Sequence, residues 1–171
     1  MFLKKLWQKY KLSRDPVSYW RKRGMKIGEG CEIYSSASFE SEPYMIELGN
    51  YVRVNSGVTF VTHDGGVWVL RNLDEELKDI DVFGKIVVGN NVHIGTNTII
   101  MPGVTIGDNC IIGCGAVVTR DIPSGSIAVG VPARVIKTVD EYKAQHADDF
   151  VHTKFLSAEE KRKFITEKYL K

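Results

Sequence analysis

The chain has 171 residues, 43% of them hydrophobic, and a formal net charge of +2, which suits one globular domain with short additions at its ends. No apolar run approaches the roughly 18 residues of a membrane span, and lysines interrupt the opening MFLKKLWQKYKL, which therefore does not read as a secretory signal. Three cysteines without a CxxC pair argue against a disulfide framework and fit a reducing cytoplasm.

The small net charge hides a division. Residues 1–26 hold nine basic residues and one acidic, residues 27–137 seven basic and thirteen acidic, and residues 138–171 seven of each. The basic end suits an anionic membrane surface, a nucleic acid or a polyphosphate ligand. The plainer reading is a solvated helix face that complements the acidic middle. Residue patterning predicts three segments: 1–24, helical; 25–137, a repeat domain; and 138–171, a helical extension.

Residues 2–23 read as helix. Phe2, Leu3, Leu6, Trp7 and Tyr10 form one apolar stripe among lysines. Pro16 breaks the run and suits the first turn of a second helix through Val17, Tyr19 and Trp20, which Gly24 ends. A basic amphipathic helix can lie on a bilayer, so residues 2–12 offer a peripheral contact at the inner membrane face. No nucleic-acid partner is expected.

From Val88 onward an aliphatic residue recurs every six positions: Val88, Ile94, Ile100, Ile106, Ile112, Val118. Four places after each of the first five stands a small or β-branched residue: Val92, Thr98, Val104, Cys110, Ala116. The template also fits at Ile27, Cys31, Ile33, Ala37 and at Leu48, Val52, Val54, Val58. Six matches neither the helical nor the strand period. It suits a coil of three short strands, with Gly-Asn and Gly-Asp pairs supplying backbone freedom at the corners. Cys31 and Cys110 occupy the small inward position, so packing is their expected role.

The template fails between Phe60 and Val88, which predicts a loop expelled from the coil over about 64–86; long loops in compact domains are commonly functional. Glu40 to Glu47 lengthens one coil. After Val118, TRDIPSGSIAVGVPARVIK ends the regular stack. Residues 138–171 read as helical in pieces, with a capping box at Ser157 to Glu160.

This pattern resembles the hexapeptide-repeat acyltransferases, which fold as a left-handed parallel β-helix. The resemblance covers residues 25–137, and handedness rests on it alone. FVTHDGG places His63 where the sugar O-acetyltransferases related to the galactoside and maltose enzymes carry their catalytic histidine, before an extruded loop. His63 is thus the expected general base, for the attacking hydroxyl must lose its proton. Asp64, Glu40, Glu42 or Glu47 could orient its ring. His93 has a packing or cofactor-adjacent expectation, and His146 and His152 are bystanders. For acetyl-CoA, the resemblance points to Thr96 and Cys114 along the pantetheine arm, Thr119 and Arg120 at the adenosine end, and Arg134 and Lys137 near the phosphates. Ser35 and Asn55, with Asp64, are candidate contacts for the acceptor. The implied activity is direct acetyl transfer to a hydroxyl of a sugar or surface-polysaccharide precursor, in a homotrimer with sites between chains and no metal. Open alternatives are N-acetylation of an amino sugar, a non-enzymatic scaffold, and an enzyme like the γ-class carbonic anhydrases. The last needs three histidine ligands where this coil offers only His63 and His93.

Overall fold

Every member of the six-residue ladder from Val88 to Val118 is buried, none more than 2% exposed. The computed structural model, which describes residues 2–170 and side chains from Leu6 onward, shows why. Branched side chains fill the interior of a triangular prism wound from two- and three-residue strands. The fold is a left-handed parallel β-helix. The first face stacks β1 (Lys26–Ile27), β3 (Ile46–Leu48), β6 (Ile86–Val88) and β9 (Thr105–Ile106) in parallel. The second stacks β2 (Glu32–Ile33), β4 (Arg53–Val54), β7 (His93–Ile94), β10 (Ile111–Ile112) and β12 (Ser126–Val129). The third stacks β5 (Thr59–Phe60), β8 (Ile99–Ile100) and β11 (Val117–Val118), with Ser38 bridging to Thr59 below them.

In register, Ile27, Leu48, Val88, Ile106 and Ile122 form one inward column. Ile33, Val54, Ile94, Ile112 and Ala128 form the second, and Phe60, Ile100 and Val118 the third. Ile122 and β12 thus continue two faces beyond Val118, where the sequence reading ended regularity. The closing strand β13 (Arg134–Thr138) then runs antiparallel to β12. Val135 and Ile136 are exposed, so the parallel stack ends with β12.

The glycines that directly follow an inward aliphatic residue have a different cause from the one expected. Gly49, Gly89, Gly95, Gly107 and Gly113 are not in the left-handed region. A Cβ on Gly95 would sit 2.5 Å from the Cys114 backbone nitrogen, and one on Gly49 2.7 Å from the Gly89 carbonyl. Successive coils approach too closely there for a side chain. Left-handed backbone falls instead at Asn91, Asn97 and Asn109, at Tyr51, and at other glycines such as Gly30, Gly57 and Gly115; asparagine and glycine tolerate that conformation well. Between the first and second faces a ladder serves the corner amides. Asn50 N–H donates to Asn90 Oδ1 (2.9 Å), Asn90 N–H to Asp108 Oδ1 (2.5 Å), and Asp108 N–H to Ser124 Oγ (2.9 Å). Gly-Asn and Gly-Asp pairs thus combine a close approach with a side-chain acceptor.

The backbone of α1 (Phe2–Arg14) leads into α2 (Pro16–Arg21), whose first turn is capped by Asp15 accepting from Ser18 N–H. The side chains of Phe2 and Leu3 lie outside the described residues. Trp20 is buried with its ring edge on Phe39 (4.9 Å), and Phe39 stacks on Phe60 (4.8 Å), so aromatic residues close the lower end of the coil. Cys31 donates to Gly49 O (3.1 Å) and Cys110 to Pro123 O (3.2 Å). Burial raises both thiols above the ordinary cysteine range, which keeps them protonated.

The chain divides into two compact units, one ending at Asp140 and the other starting at Glu141. The second holds most of α4 (Val139–Gln145) and all of α5 (Ala158–Tyr169). Ser157 N–H donates to Glu160 Oε2 and Glu160 N–H to Ser157 Oγ, forming the capping box. His146 lies 3.1 Å from Asp149 in this unit, and His152 is exposed there.

The core account predicts that Ile94→Ala costs about 2–5 kcal/mol of stability. Exposed Thr105→Ala should stay within about 0.5 kcal/mol. Urea denaturation of both variants checks this.

Candidate active site

The two departures from the template meet at one corner. Glu40 adopts a left-handed conformation (φ 49°) and starts the first, a 3₁₀ turn at Pro43–Met45 that returns the chain to β3. The second begins two residues after β5 ends. Gly84 N–H donates to Thr62 O (2.9 Å) and Asp64 N–H to Val82 O (2.8 Å), while His63 and Phe83 bridge antiparallel. These pairs form a neck, beyond which α3 (Val67–Leu73) and a 3₁₀ turn at Glu75–Leu77 project. A Cβ on Gly84 would lie 2.3 Å from the Gly103 backbone nitrogen, so the neck is pressed against the coil.

His63 stands in this neck, its side chain 38% exposed. Of its four candidate partners the structure selects Glu42: His63 Nδ1 lies 3.1 Å from Glu42 Oε2. Thr62, fully buried, donates its hydroxyl to the same oxygen at 2.9 Å. A side-chain hydrogen bond from Ser41 is the largest influence on Glu42. With those from Thr62 and His63 it outweighs desolvation and holds the carboxyl below its usual range. Glu42 is therefore a carboxylate, which can only accept. Nδ1 must carry the proton, and in the neutral ring Nε2 presents a lone pair. The Phe83 ring stands edge-on, 6.3 Å between centroids.

The other candidates go elsewhere. Asp64 is exposed and accepts from Gly66 N–H (2.7 Å), capping its own turn. Glu47 is held by Lys26 (2.5 Å) and Lys85 (2.9 Å) on the first face. Asn55 donates its amide to His93 Nε2 (3.3 Å). Burial, then repulsion from Arg53, lowers the His93 pKa below the ordinary histidine value. Arg53 is itself held by Glu32 (3.4 Å) and Tyr34 (3.4 Å).

Register sorts the remaining residues onto two edges. Ser35, Thr96 and Cys114 each stand two places after the inward residue of β2, β7 and β10, so they share one column between the second and third faces; Asn55 lies beside it. Thr119 and Arg120 follow β11 at the opposite edge of the third face, the edge where His63 follows β5. Thr96 contributes its carbonyl to Gly115 N–H (2.8 Å), and the Cys114 thiol is exposed and unpaired. Arg134 and Lys137 lie in β13, where Arg134 bonds its neighbour's carbonyl at Ala133. A single chain thus separates the histidine from the pantetheine candidates by the width of a face. Among the described residues, no group of three His, Cys, Asp or Glu side chains is placed to hold a metal ion.

Reading the sequence left Glu42 among four equals and did not single out Thr62. The available signal was that both interruptions fall after the third face and must emerge at the same corner.

Comparison with known proteins bears on the fold and the family. The model for the bacterial transferase hexapeptide (six repeats) matches residues 85–120. Protein CapG of Staphylococcus aureus is 43% identical over 171 residues, covering 99% of this chain and 95% of that protein. The galactoside O-acetyltransferase of Escherichia coli (strain K12) is 55% identical over 119 residues, covering 69% of this chain and 57% of that one. A solved galactoside acetyltransferase in complex with coenzyme A superposes with a TM-score of 0.52 at 27% identity, covering 83% of this chain and 82% of its own. The chain belongs to the hexapeptide-repeat acyltransferases.

Because folding holds His93 below its ordinary pKa, the unfolded chain takes up this proton first as pH falls. Stability from His93 is therefore present above the unfolded value near 6.5 and is lost as pH drops through it. Between pH 7.5 and 5.5, about one unit either side of that value, the wild type should lose more stability than His93→Gln. Urea titrations at both pH values read the difference.

Proposed function

We propose that the protein is an acetyl-CoA-dependent O-acetyltransferase acting on a hydroxyl of a sugar or surface-polysaccharide precursor, with His63 as general base. The single observation that carries this is the His63–Glu42 contact of 3.1 Å, which fixes the ring tautomer with Nε2 available. His63 Nε2 takes the acceptor hydroxyl's proton as that oxygen bonds to the acetyl carbon. It returns the proton to the sulfur as the thioester C–S bond breaks. Glu42 is a positioning residue: it orients the imidazole and stabilises its transient positive charge.

Hexapeptide-repeat acetyltransferases are typically trimeric, and the distribution of residues supports a homotrimer here. Thr96 and Cys114 on one edge would hold the pantetheine arm and face the His63 edge of a neighbour. Thr119, Arg120, Arg134 and Lys137 would meet the nucleotide end, where cations suit phosphates. Ser35 and Asn55 share the pantetheine edge and would contact the acceptor from there. Asp64, committed to its own turn, is left a minor part. Three unpaired thiols suit a reducing cytoplasmic location.

The test is thioester cleavage across a panel of saccharides. His63→Ala should lower kcat by about 10²–10⁴-fold. Glu42→Gln should lower kcat by a smaller factor, with KM for acetyl-CoA little changed. Near-wild-type turnover in His63→Ala with a real acceptor would remove His63 from the mechanism.

A further inference from the structure

The N-terminal helices carry a feature that acetyl transfer does not use. Between α1 and α2 lies a cleft of about 710 Å³. Trp7 and Tyr10 on its wall are 59% and 54% exposed, and Leu6 beside them 56%. All three lie on one helical stripe. Lys11, Arg14, Lys22 and Arg23 line the same cleft, each exposed. None of these four forms an ion pair with a described residue, while Arg21 beside them pairs with Glu29.

The rings gather the cations. Lys11 Nζ sits 3.2 Å over the Trp7 ring, Arg14 donates to the Tyr10 hydroxyl at 2.7 Å, and the Arg23 guanidinium lies 4.7 Å over Tyr19. Asp15, the one acid of residues 1–26, is engaged in capping α2. The result is a cation cluster beside an exposed aliphatic and aromatic stripe, on a segment of net charge +8.

We propose that the α1–α2 cleft docks the protein on an anionic lipid bilayer, lipid phosphates entering between Lys11, Arg14 and Lys22 while Leu6, Trp7 and Tyr10 enter the headgroup boundary. Charge complementarity carries the choice, and the stripe refines it. A bilayer surface offers phosphates and apolar depth side by side, whereas a nucleic-acid duplex offers no apolar layer for Leu6. No described helix is long and apolar enough to cross a membrane, so the contact lies on the surface. It extends past residues 2–12 to α2, so that α1 and α2 act as one unit.

The test is flotation of the full chain with vesicles, which is independent of any transferase reaction. Vesicles containing about one third phosphatidylglycerol should carry the protein, and pure phosphatidylcholine should not. Binding should weaken steeply as salt rises. Lys11→Gln/Arg14→Gln/Lys22→Gln should lower partitioning on the order of 10²-fold, about fivefold per cation. Trp7→Ala/Tyr10→Ala should remove the part of binding that survives high salt. Circular dichroism and oligomeric mass should match the wild type in both. Equal recovery on neutral and anionic vesicles would overturn the proposal. So would tighter retention on duplex DNA than on anionic vesicles, or a change of oligomeric mass in either variant.

Discussion

The inward column of branched side chains is the constraint on which everything else depends. A six-residue step with an aliphatic residue at each face closes the chain into a prism, and parallel pairing between coils then leaves little freedom of register. Each coil sits about 4.8 Å above the last, so one shift would displace every later side chain. The corner glycines belong to the same constraint. At that separation the turning backbone leaves no room for a Cβ, as the 2.5 Å approach at Gly95 shows. The scaffold is rigid because its faces are short and its interior is filled.

Rigidity gives the site its geometry. Both irregular segments leave at the corner after the third face, and neither could place a side chain accurately alone. Together they can. The first brings Glu42 back against the prism, and the second brings Thr62 and His63 to it through the neck closed by Gly84. One buried hydroxyl and one imidazole share one carboxylate oxygen. The catalytic proposal thus rests on a contact between two insertions, held by the regular structure between them.

Much of this was legible in the sequence because the governing signal is periodic. The columns, the buried Thr98 and the small inward Cys110 follow from spacing alone. What periodicity could not supply lies where the period breaks. Glu42 was indistinguishable from Glu40 and Glu47, since only the folded corner shows which carboxylate faces the ring. Glu47 looked equivalent until Lys26 and Lys85 were found beside it. The closing strand was not legible for a related reason: TRDIPSGSIAVGVPARVIK is rich in turn residues, and nothing in its sequence says that β12 continues the second face or that β13 returns antiparallel. The glycines of the Gly-Asn and Gly-Asp pairs read as sources of conformational freedom because one repeat taken alone shows no neighbour, whereas their crowding comes from the next coil of the same chain.

Because one face separates His63 from Thr96 and Cys114, the proposed centre stands or falls with the proposed homotrimer. The most direct measurement is the structure of the protein bound to coenzyme A. The account predicts the cofactor's sulfur beside His63 Nε2 of one chain, with the pantetheine arm along Thr96 and Cys114 of its neighbour. Coenzyme A lying wholly on one chain, or with its sulfur remote from every His63, would contradict it.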